Sequence, residues 1–297
     1  AAELSLRQAA ETLFLRIFEA KALEGTALAS EHELLDRLEV ARAQLTSGVL
    51  TEADVLRVQV AAANARQQAI QGHTQGLVAR ANLLVLMGLP ADDQGIQFVE
   101  PKALLAPVQA PPDGAAAQRL ATSRRPELRR LQLSLTASEH QEKARLYSLL
   151  PDIDLEGAYL RSYGQTFVPT NSAFVGLNAK WAIWEWGASY AAYRSSQAQA
   201  RAAALDLEYQ QQQIRAEVTA GLAQLEAASN AIAVAQQTIA SAEEAYRVTE
   251  AQVKAGTATT TDLLEAQSSL TQARLNYLRS QYGLAISRVD LRRALGE

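Results

Sequence analysis

The sequence repeats itself at an offset of 208 residues, and this duplication constrains the fold more than any other feature. Residues 41–88 align with residues 249–296 without a gap. Pairs of Ala, Leu or Gln arise by chance between helical segments, whereas shared Gly and Asp at constant spacing indicate duplication. Both copies are therefore expected to fold alike. The matched residues are Ala43/Ala251, Gln44/Gln252, Gly48/Gly256, Thr51/Thr259, Asp54/Asp262, Leu56/Leu264, Gln59/Gln267, Ala65/Ala273, Arg66/Arg274, Arg80/Arg288, Leu83/Leu291 and Gly88/Gly296.

Each copy is predicted to form an antiparallel helical hairpin with a tight tip. A heptad-patterned segment runs into a glycine, which ends a helix because it reaches positive φ without strain. A short polar turn follows, and then a threonine that caps the next helix with an aspartate in its first turn. Ordinary helix–turn–helix corners share this pattern. The glycines are Gly48 and Gly256, the caps are Thr51 and a residue among 259–261, and the aspartates are Asp54 and Asp262.

The first helix of the second copy carries a heptad stripe of apolar and small residues, which predicts a closely packed coiled coil. Few helix breakers lie between Gly187 and Ala255. A helix of nearly 70 residues is expected there, about 100 Å long, which suits a tube or a fibre. The first copy is less uniform because Glu24 and Glu31 interrupt its stripe. The stripe residues of the second copy are Ile214, Val218, Gly221, Leu225, Ala228, Ile232, Ala235, Ile239, Ala242, Tyr246, Thr249 and Val253.

The middle of the chain changes its pattern twice. Five of the eight prolines lie between Pro90 and Pro112, which predicts an irregular connection. A helical pattern resumes near Asp113 and stops before Pro151. From residue 152 the hydrophobic period becomes two, in two runs of about ten residues on either side of a loop over 164–172, the length of a tilted membrane strand.

The two predicted strands have two interpretations. A soluble β-hairpin packed on a helix fits them as well as a membrane hairpin does. An isolated two-stranded hairpin is marginal in water, however, and its edges cannot stay open in lipid. Oligomerisation would supply the missing strands. A membrane-interface belt is expected at the end of the second strand, formed by Trp181, Trp184 and Trp186.

The composition excludes several classes of function. A net charge of −4 without a basic run gives no reason to expect nucleic acid. No cysteine is present, so thiolate metal sites and Cys nucleophiles are excluded. The three histidines, His32, His73 and His140, share no ligand spacing with acids. Phosphate-binding loops and nucleophile elbows are missing as well, so neither an enzyme nor a cofactor is predicted.

Four short motifs lie in a characteristic order along the chain. They are Arg125-Pro126-Glu127-Leu128 before the first strand, Trp184-Glu185-Trp186-Gly187 after the second, Lys254-Ala255-Gly256-Thr257 at the tip, and Asp262-Leu263-Leu264-Glu265 beyond it. Together with the tandem repeat, they resemble the TolC family of outer-membrane efflux proteins. The resemblance implies a mainly α fold with a TolC-like tandem repeat. Long antiparallel coiled-coil helices would form an α-helical barrel, and two of the transmembrane β-barrel strands would lie in this chain.

The resemblance also implies a function. Family membership implies an outer-membrane duct subunit of a tripartite efflux pump or type I secretion system, located in a Gram-negative outer membrane with a periplasmic tunnel. The expected partners are two further copies in a homotrimer, outer-membrane lipid, and a periplasmic adaptor that leads to an inner-membrane pump. The duct is a passive conduit that opens at its periplasmic tip. The alternative function is a soluble periplasmic coiled-coil scaffold or adaptor that binds partner helices.

Carried over to this sequence, the resemblance assigns two groups of tip residues. The residues assigned to the periplasmic tip and adaptor docking are Gly48, Val49, Gly256 and Thr257. The aperture acids are Asp54, Asp262 and Glu265. With threefold symmetry, Asp262 and Glu265 would ring the pore with six carboxylates and favour cations. First-turn dipole partners or solvent-facing charges explain the same acids equally well. Some family members have a basic residue where this chain has Ala258, so a charge lock at that position is not expected.

The division into parts follows from these patterns. By the offset, Ala1 corresponds to Tyr209, so a counterpart of residues 113–208 with two further strands is expected to precede this sequence. The predicted parts are an incomplete first-repeat helical hairpin at 1–88, an irregular equatorial linker at 89–112, a helix leading to the membrane at 113–150, two transmembrane strands with their loop at 151–185, and a long second-repeat helical hairpin at 186–297.

Overall fold

The computed structural model describes residues 2–100, 113–164, 169–181 and 187–297. Most of these residues are helical, and they divide into two units, one formed by 1–124 with 214–297 and the other by 125–213. Within the described ranges the elements are α1 (Ala2–Thr46), α2 (Glu52–Leu86), α3 (Gly114–Arg124), α4 (Pro126–Tyr147), β1 (Asp152–Arg161), β2 (Asn171–Lys180), α5 (Ala188–Lys254) and α6 (Thr260–Leu295).

In the first unit, α1 and α2 form one antiparallel hairpin. Small residues of α2 let the two helices approach closely, and the tightest point lies at Gly72. A Cβ atom there would sit 3.0 Å from the backbone nitrogen of Glu24. Glu24, which interrupts the apolar stripe of α1, therefore lies opposite a glycine on α2. Near the tip, the buried apolar residues are Leu34, Leu38, Ala41, Val55, Val58, Ala62 and Ala65.

Helix α6 packs on α1 and also contacts α2, and we call the contact of α6 with α1 the inner seam. Leu264 packs against both apolar clusters of the first hairpin. The seam also has polar contacts: Ser30 Oγ lies 3.2 Å from Thr271 Oγ1, and the buried Gln267 side chain donates to Glu33 at 3.2 Å. Helix α5 packs on α6 in turn, where Gln236 reaches the Tyr277 hydroxyl at 3.4 Å and Glu243 pairs with Arg274 at 3.3 Å.

Helix α5 has 67 residues, close to the length predicted from its lack of helix breakers. Its stripe residues Ile214, Val218 and Leu225 are buried. Gly221 permits close packing on α6, since a Cβ there would lie 3.2 Å from Leu291 Cδ1. The predicted heptad stripe is therefore the buried face of α5.

The second unit holds α4, the strand pair and the start of α5. The sequence predicted a helix over residues 113–150, and the structure has two helices in this range, α3 and α4, which are separated at Arg125. Pro126 is the first residue of α4, where its missing N–H costs no intrahelical bond. Arg125 is extended, with φ of −65° and ψ of 119°, as expected before a proline.

Strands β1 and β2 form an antiparallel two-stranded sheet. Leu155 pairs with Leu177 and Gly157 with Val175, so the predicted apolar faces of the two strands coincide. These apolar side chains are largely exposed; Leu155, Val175 and Leu177 each expose about three quarters of their surface (74%, 79% and 77%). The sheet thus presents an uncovered apolar face. Separately, none of the described helices is long and apolar enough to cross a membrane.

Candidate functional site at the hairpin tips

The two hairpin tips end in the same backbone turn. Gly48 has φ of 77° and Gly256 has φ of 74°, values that a glycine adopts without strain. The N–H of Val49 donates to Gln44 O at 2.9 Å, and that of Thr257 donates to Gln252 O at 2.9 Å. With the glycine N–H bonded three residues back, each turn is a Schellman motif. The duplication read from the sequence therefore extends to individual hydrogen bonds.

The helix that follows each tip begins with a capping box. The Thr51 hydroxyl donates to Asp54 Oδ2 at 2.6 Å, and the Thr259 hydroxyl donates to Asp262 Oδ2 at 2.7 Å. In both boxes the aspartate N–H donates back to the threonine oxygen. Of the three threonines that the sequence left open as the second cap, Thr259 takes the role, because it lies three residues before Asp262.

The caps hold two of the predicted aperture acids in their ionised form. The side-chain hydrogen bond from Thr51, followed by the backbone bond and by Arg57, lowers the pKa of Asp54. The side-chain and backbone hydrogen bonds of Thr259 lower the pKa of Asp262. Because the folded-state pKa is depressed, the stabilisation by each cap is present above the ordinary Asp value of about 3.9 and is lost as pH falls through the lowered pKa.

The tips differ in charge at the position of Arg57, among others. In the first copy Arg57 pairs with Asp54, with 2.9 Å between Nη1 and Oδ1. The position offset by 208 residues in the second copy is Glu265, which is exposed. Arg57 also reaches across to Thr261 Oγ1 at 3.4 Å, so the two tips lie side by side. Asp54 in the first tip is therefore paired with an arginine, whereas Asp262 in the second has a further carboxylate, Glu265, three residues along the same helix.

A groove of about 790 Å³ lies between the tips and is lined by both hairpins. We call it the tip groove. Its apolar lining comes mainly from Val40, Leu50, Val253 and Leu263. Charged residues at its edge are Asp36, Arg37, Glu250 and Lys254. Val49, predicted as a docking residue, lines the groove and exposes 69% of its surface, whereas Thr257 is exposed beside it.

Arg37 ties the two hairpins together at this groove. Its guanidinium donates to the Tyr246 hydroxyl and lies 3.6 Å from Glu250 Oε1. The guanidinium carbon also lies 5.6 Å from the centroid of the Tyr246 ring. Sequence reasoning placed Tyr246 in the heptad stripe but missed Arg37 and Glu250. No pattern in the sequence marks them, because the contact joins residues more than 200 positions apart.

The predicted aromatic belt is only partly described. Trp181 is 59% exposed, and its indole N–H donates to Leu149 O at 3.2 Å. Trp184 and Trp186 lie outside the described residues. Among the described aromatics of this unit, Tyr159 and Tyr163 are also largely exposed. The role of the tryptophans at a membrane interface stays a prediction.

Comparison with known families decides the assignment. Residues 118–297 match the model of a family described as outer membrane efflux protein. The chain belongs to this family. The TolC-type resemblance read from the sequence is thereby confirmed, and so is the expected location in the outer membrane of a Gram-negative cell. The family is one of channels, and the soluble scaffold is not favoured.

Individual relatives of this efflux-family chain agree. It is 24% identical over 266 residues to outer membrane efflux protein BepC of Brucella suis, covering 88% of this chain and 56% of BepC. It is 27% identical over 173 residues to outer membrane protein TolC of Vibrio cholerae, covering 55% of this chain and 37% of that protein. The chain thus spans about half the length, or less, of these curated relatives.

Solved structures confirm the fold. The outer membrane protein VceC from Vibrio cholerae superimposes with a TM-score of 0.87 at 17% identity, covering 100% of this chain and 71% of VceC. The outer-membrane channel OprN superimposes with a TM-score of 0.85 at 20% identity, covering 99% of this chain and 66% of OprN. The predicted fold class, long antiparallel helices with a small strand pair, is therefore confirmed.

Proposed function

We propose that this chain is the tip-bearing part of an outer-membrane duct subunit in a tripartite efflux pump or type I secretion system. The observation that carries the proposal is the pair of matching tips, which one chain places side by side around a groove. Three copies would form a homotrimer with six tips around one opening. The duct is a passive conduit, since its proposed work is to open and close and not to change its cargo.

The tip groove is proposed as the docking site of a periplasmic adaptor. Its apolar lining and charged edges are complementary to an amphipathic helix, which lays its apolar face into such a groove. Gly48 and Gly256 keep the turns compact, so that Val49 and Thr257 project at the ends. An adaptor helix held there would connect the duct to an inner-membrane pump.

The aperture role is proposed for the acids beside the tips. Asp262 and Glu265 are three residues apart on one face of α6 and both are exposed. In a homotrimer they would supply six carboxylates, which favour cations at a constriction. Asp54 is neutralised by Arg57 and contributes less. The capping role of Asp54 and Asp262 is compatible with this, because a capping carboxylate keeps its charge.

The membrane end is proposed to be the strand pair. Its apolar side chains are exposed along both strands, and a second surface, either lipid or further strands, must cover them. In the trimer each protomer would contribute four strands to one barrel, of which β1 and β2 are two. Trp181, with Trp184 and Trp186, would lie at the level of the lipid headgroups.

Charge at the tips is expected to prevent adaptor docking. Val49→Glu together with Thr257→Glu places carboxylates at both turns, where burial against a partner would desolvate them. We expect at least a tenfold loss of the cognate adaptor that co-purifies with the protein after cross-linking in cells, and a matching loss of export. Folding should not change, since both side chains are exposed.

Val99→Glu is the matched control, because Val99 is 79% exposed and lies outside the tips. It is expected to leave the yield of adaptor unchanged. Equal yields from the tip variant and from the wild type would contradict docking at the tips.

A further inference from the structure

A polar cavity of about 130 Å³ lies where α1, α2 and α6 meet, and we call it the seam cavity. Gln267, which lies in its wall, is about two helical turns along α6 from the cap Thr259. Hydroxyl and amide side chains form most of the wall, and none of the lining residues is charged. A cavity of this volume and polarity holds a small hydrogen-bonding ligand.

Gln267 brings an unpaired acceptor to the seam cavity. The residue is 2% exposed. Its amide nitrogen is turned toward Glu33, a residue outside the cavity wall, and donates to Glu33 Oε2 at 3.2 Å. The amide oxygen, Oε1, is buried and has no hydrogen-bond donor among the described residues. Because a buried acceptor without a donor destabilises the fold, a ligand that donates to Oε1 would stabilise it.

The neighbouring polar groups of the wall are also left with acceptors. The Thr271 hydroxyl donates to Gln267 O at 3.0 Å. Since Thr271 has a single hydroxyl proton, Ser30 is the donor in the 3.2 Å contact between the two hydroxyls, and lone pairs remain on Ser30 Oγ. Gln272 turns its amide nitrogen to Asn276 Oδ1 at 2.8 Å, which leaves its own amide oxygen. The wall therefore offers mainly oxygen acceptors.

We propose that the seam cavity binds a small ammonium cation, either the ammonium ion or the head group of a short primary amine. Such a group has several N–H donors and no acceptor, which matches a wall of oxygen acceptors. The carboxylate of Glu33 polarises the Gln267 amide through their hydrogen bond and makes Oε1 a better acceptor. A divalent metal fits the wall poorly, because no carboxylate, imidazole or thiol lines it.

The bound cation would connect three helices. Gln267 and its neighbour Gln272 belong to α6, Ser30 belongs to α1, and the amide of Asn64 belongs to α2. The apolar part of the wall, which includes Leu264, would contact the carbon chain of a primary amine. Binding would therefore stabilise the contact of α6 with the first hairpin, and the stabilisation would increase with the concentration of the ligand.

Thermal unfolding of the purified full-length protein tests the proposal, with ammonium chloride as the probe. Tetramethylammonium chloride at equal ionic strength is the reference, since this ion carries the same charge but has no N–H. We expect the unfolding midpoint to rise with ammonium concentration and then to level off, and methylammonium to act in the same way. Gln267→Leu removes the acceptor, and about tenfold more ammonium should be needed for half of the rise, as expected when a hydrogen bond to a charged group is lost.

Gln59→Leu is the matched control. Gln59 is the equivalent of Gln267 in the first copy, and it is exposed and lies outside the seam cavity. This variant should respond to ammonium as the wild type does. Asp262→Asn with Glu265→Gln should also keep the response, because these two acids do not line the cavity.

Three results would overturn the proposal, and they can be told apart. If Gln267→Leu and Gln59→Leu respond alike, ammonium acts elsewhere on the protein. If potassium chloride raises the midpoint of the wild type as much as ammonium chloride does, the site binds alkali cations and does not select N–H donors. If ammonium has no effect beyond that of the reference ion, the cavity holds only water. Should Gln267→Leu fail to fold, Ser30→Ala takes its place, and an unchanged response of that variant would equally contradict the site.

Discussion

Replacing Arg37 by Ala is expected to raise the conductance of the resting duct about tenfold or more. Arg37 donates a hydrogen bond to Tyr246 and forms an ion pair with Glu250. These contacts link the first hairpin to the second at the tip groove. A hydrogen bond to a charged group contributes about 1.5–3 kcal/mol. If the contacts exist only while the tips are closed, their loss shifts the balance of closed and open states by a factor of about ten for each 1.4 kcal/mol. Single-channel recording in planar bilayers measures the change.

Arg247→Ala is the control for this prediction. Arg247 pairs with Glu244 on the same helix, with 2.6 Å between Nη2 and Oε1, so its loss removes an ion pair without separating the hairpins. We expect its conductance to equal that of the wild type. If the two alanine variants behave alike, Arg37 does not hold the tips closed.

Gly72→Val is expected to lower the free energy of unfolding by about 1–3 kcal/mol, the usual cost of overpacking a tight contact. A Cβ atom at Gly72 would lie 3.0 Å from Glu24 N and 3.1 Å from Glu24 Cα, both backbone atoms that cannot rotate away. Helices α1 and α2 must then separate along the first hairpin. Chemical denaturation followed by circular dichroism measures the loss.

Gly25→Val makes the same chemical change on α1, where no heavy atom beyond the local backbone of α1 lies within 4 Å of the position of a new Cβ. Valine is a better helix former than glycine by a few tenths of a kcal/mol. We therefore expect this variant to be as stable as the wild type or slightly more so. If Gly25→Val and Gly72→Val lower the free energy of unfolding equally, the close approach of α1 and α2 is not what makes Gly72 sensitive to substitution.

The tips could be predicted in detail because their structure is local. A Schellman turn depends on six consecutive residues, and a capping box depends on four. Gly256 therefore predicted the turn, and Asp262 predicted a cap among residues 259–261, which the structure assigns to Thr259. The long stripe of α5 was predictable for a similar reason, since its period persists over many turns.

Contacts between the hairpins could not be predicted in the same way. The pairing of Arg37 with Glu250 depends on the angle and register at which two hairpins meet, and neither is encoded in a local pattern. The division at Arg125 was missed for a different reason. A proline can kink a continuous helix from within, or it can occupy the first position of a new helix. Pro126 was therefore compatible with one kinked helix and with two separate helices.

The duplication also shows where equal sequence leads to unequal surroundings. Leu56 and Leu264 are identical residues at equivalent positions, yet one is half exposed and the other packs into the neighbouring hairpin. From the sequence alone, the two leucines would be expected to be buried to the same extent. Only the structure shows which of the two is covered by other described residues and which is not.

Ion conduction by the purified full-length protein in planar bilayers is the most direct test that this chain belongs to a duct. We expect discrete conductance steps that prefer cations. We also expect that Asp262→Asn with Glu265→Gln, which removes charge while keeping the side-chain shapes, reduces this preference. Unchanged selectivity would contradict the placement of the two acids at the aperture. Conductance no higher than that of bare lipid, for the wild type and for Arg37→Ala alike, would contradict the duct itself.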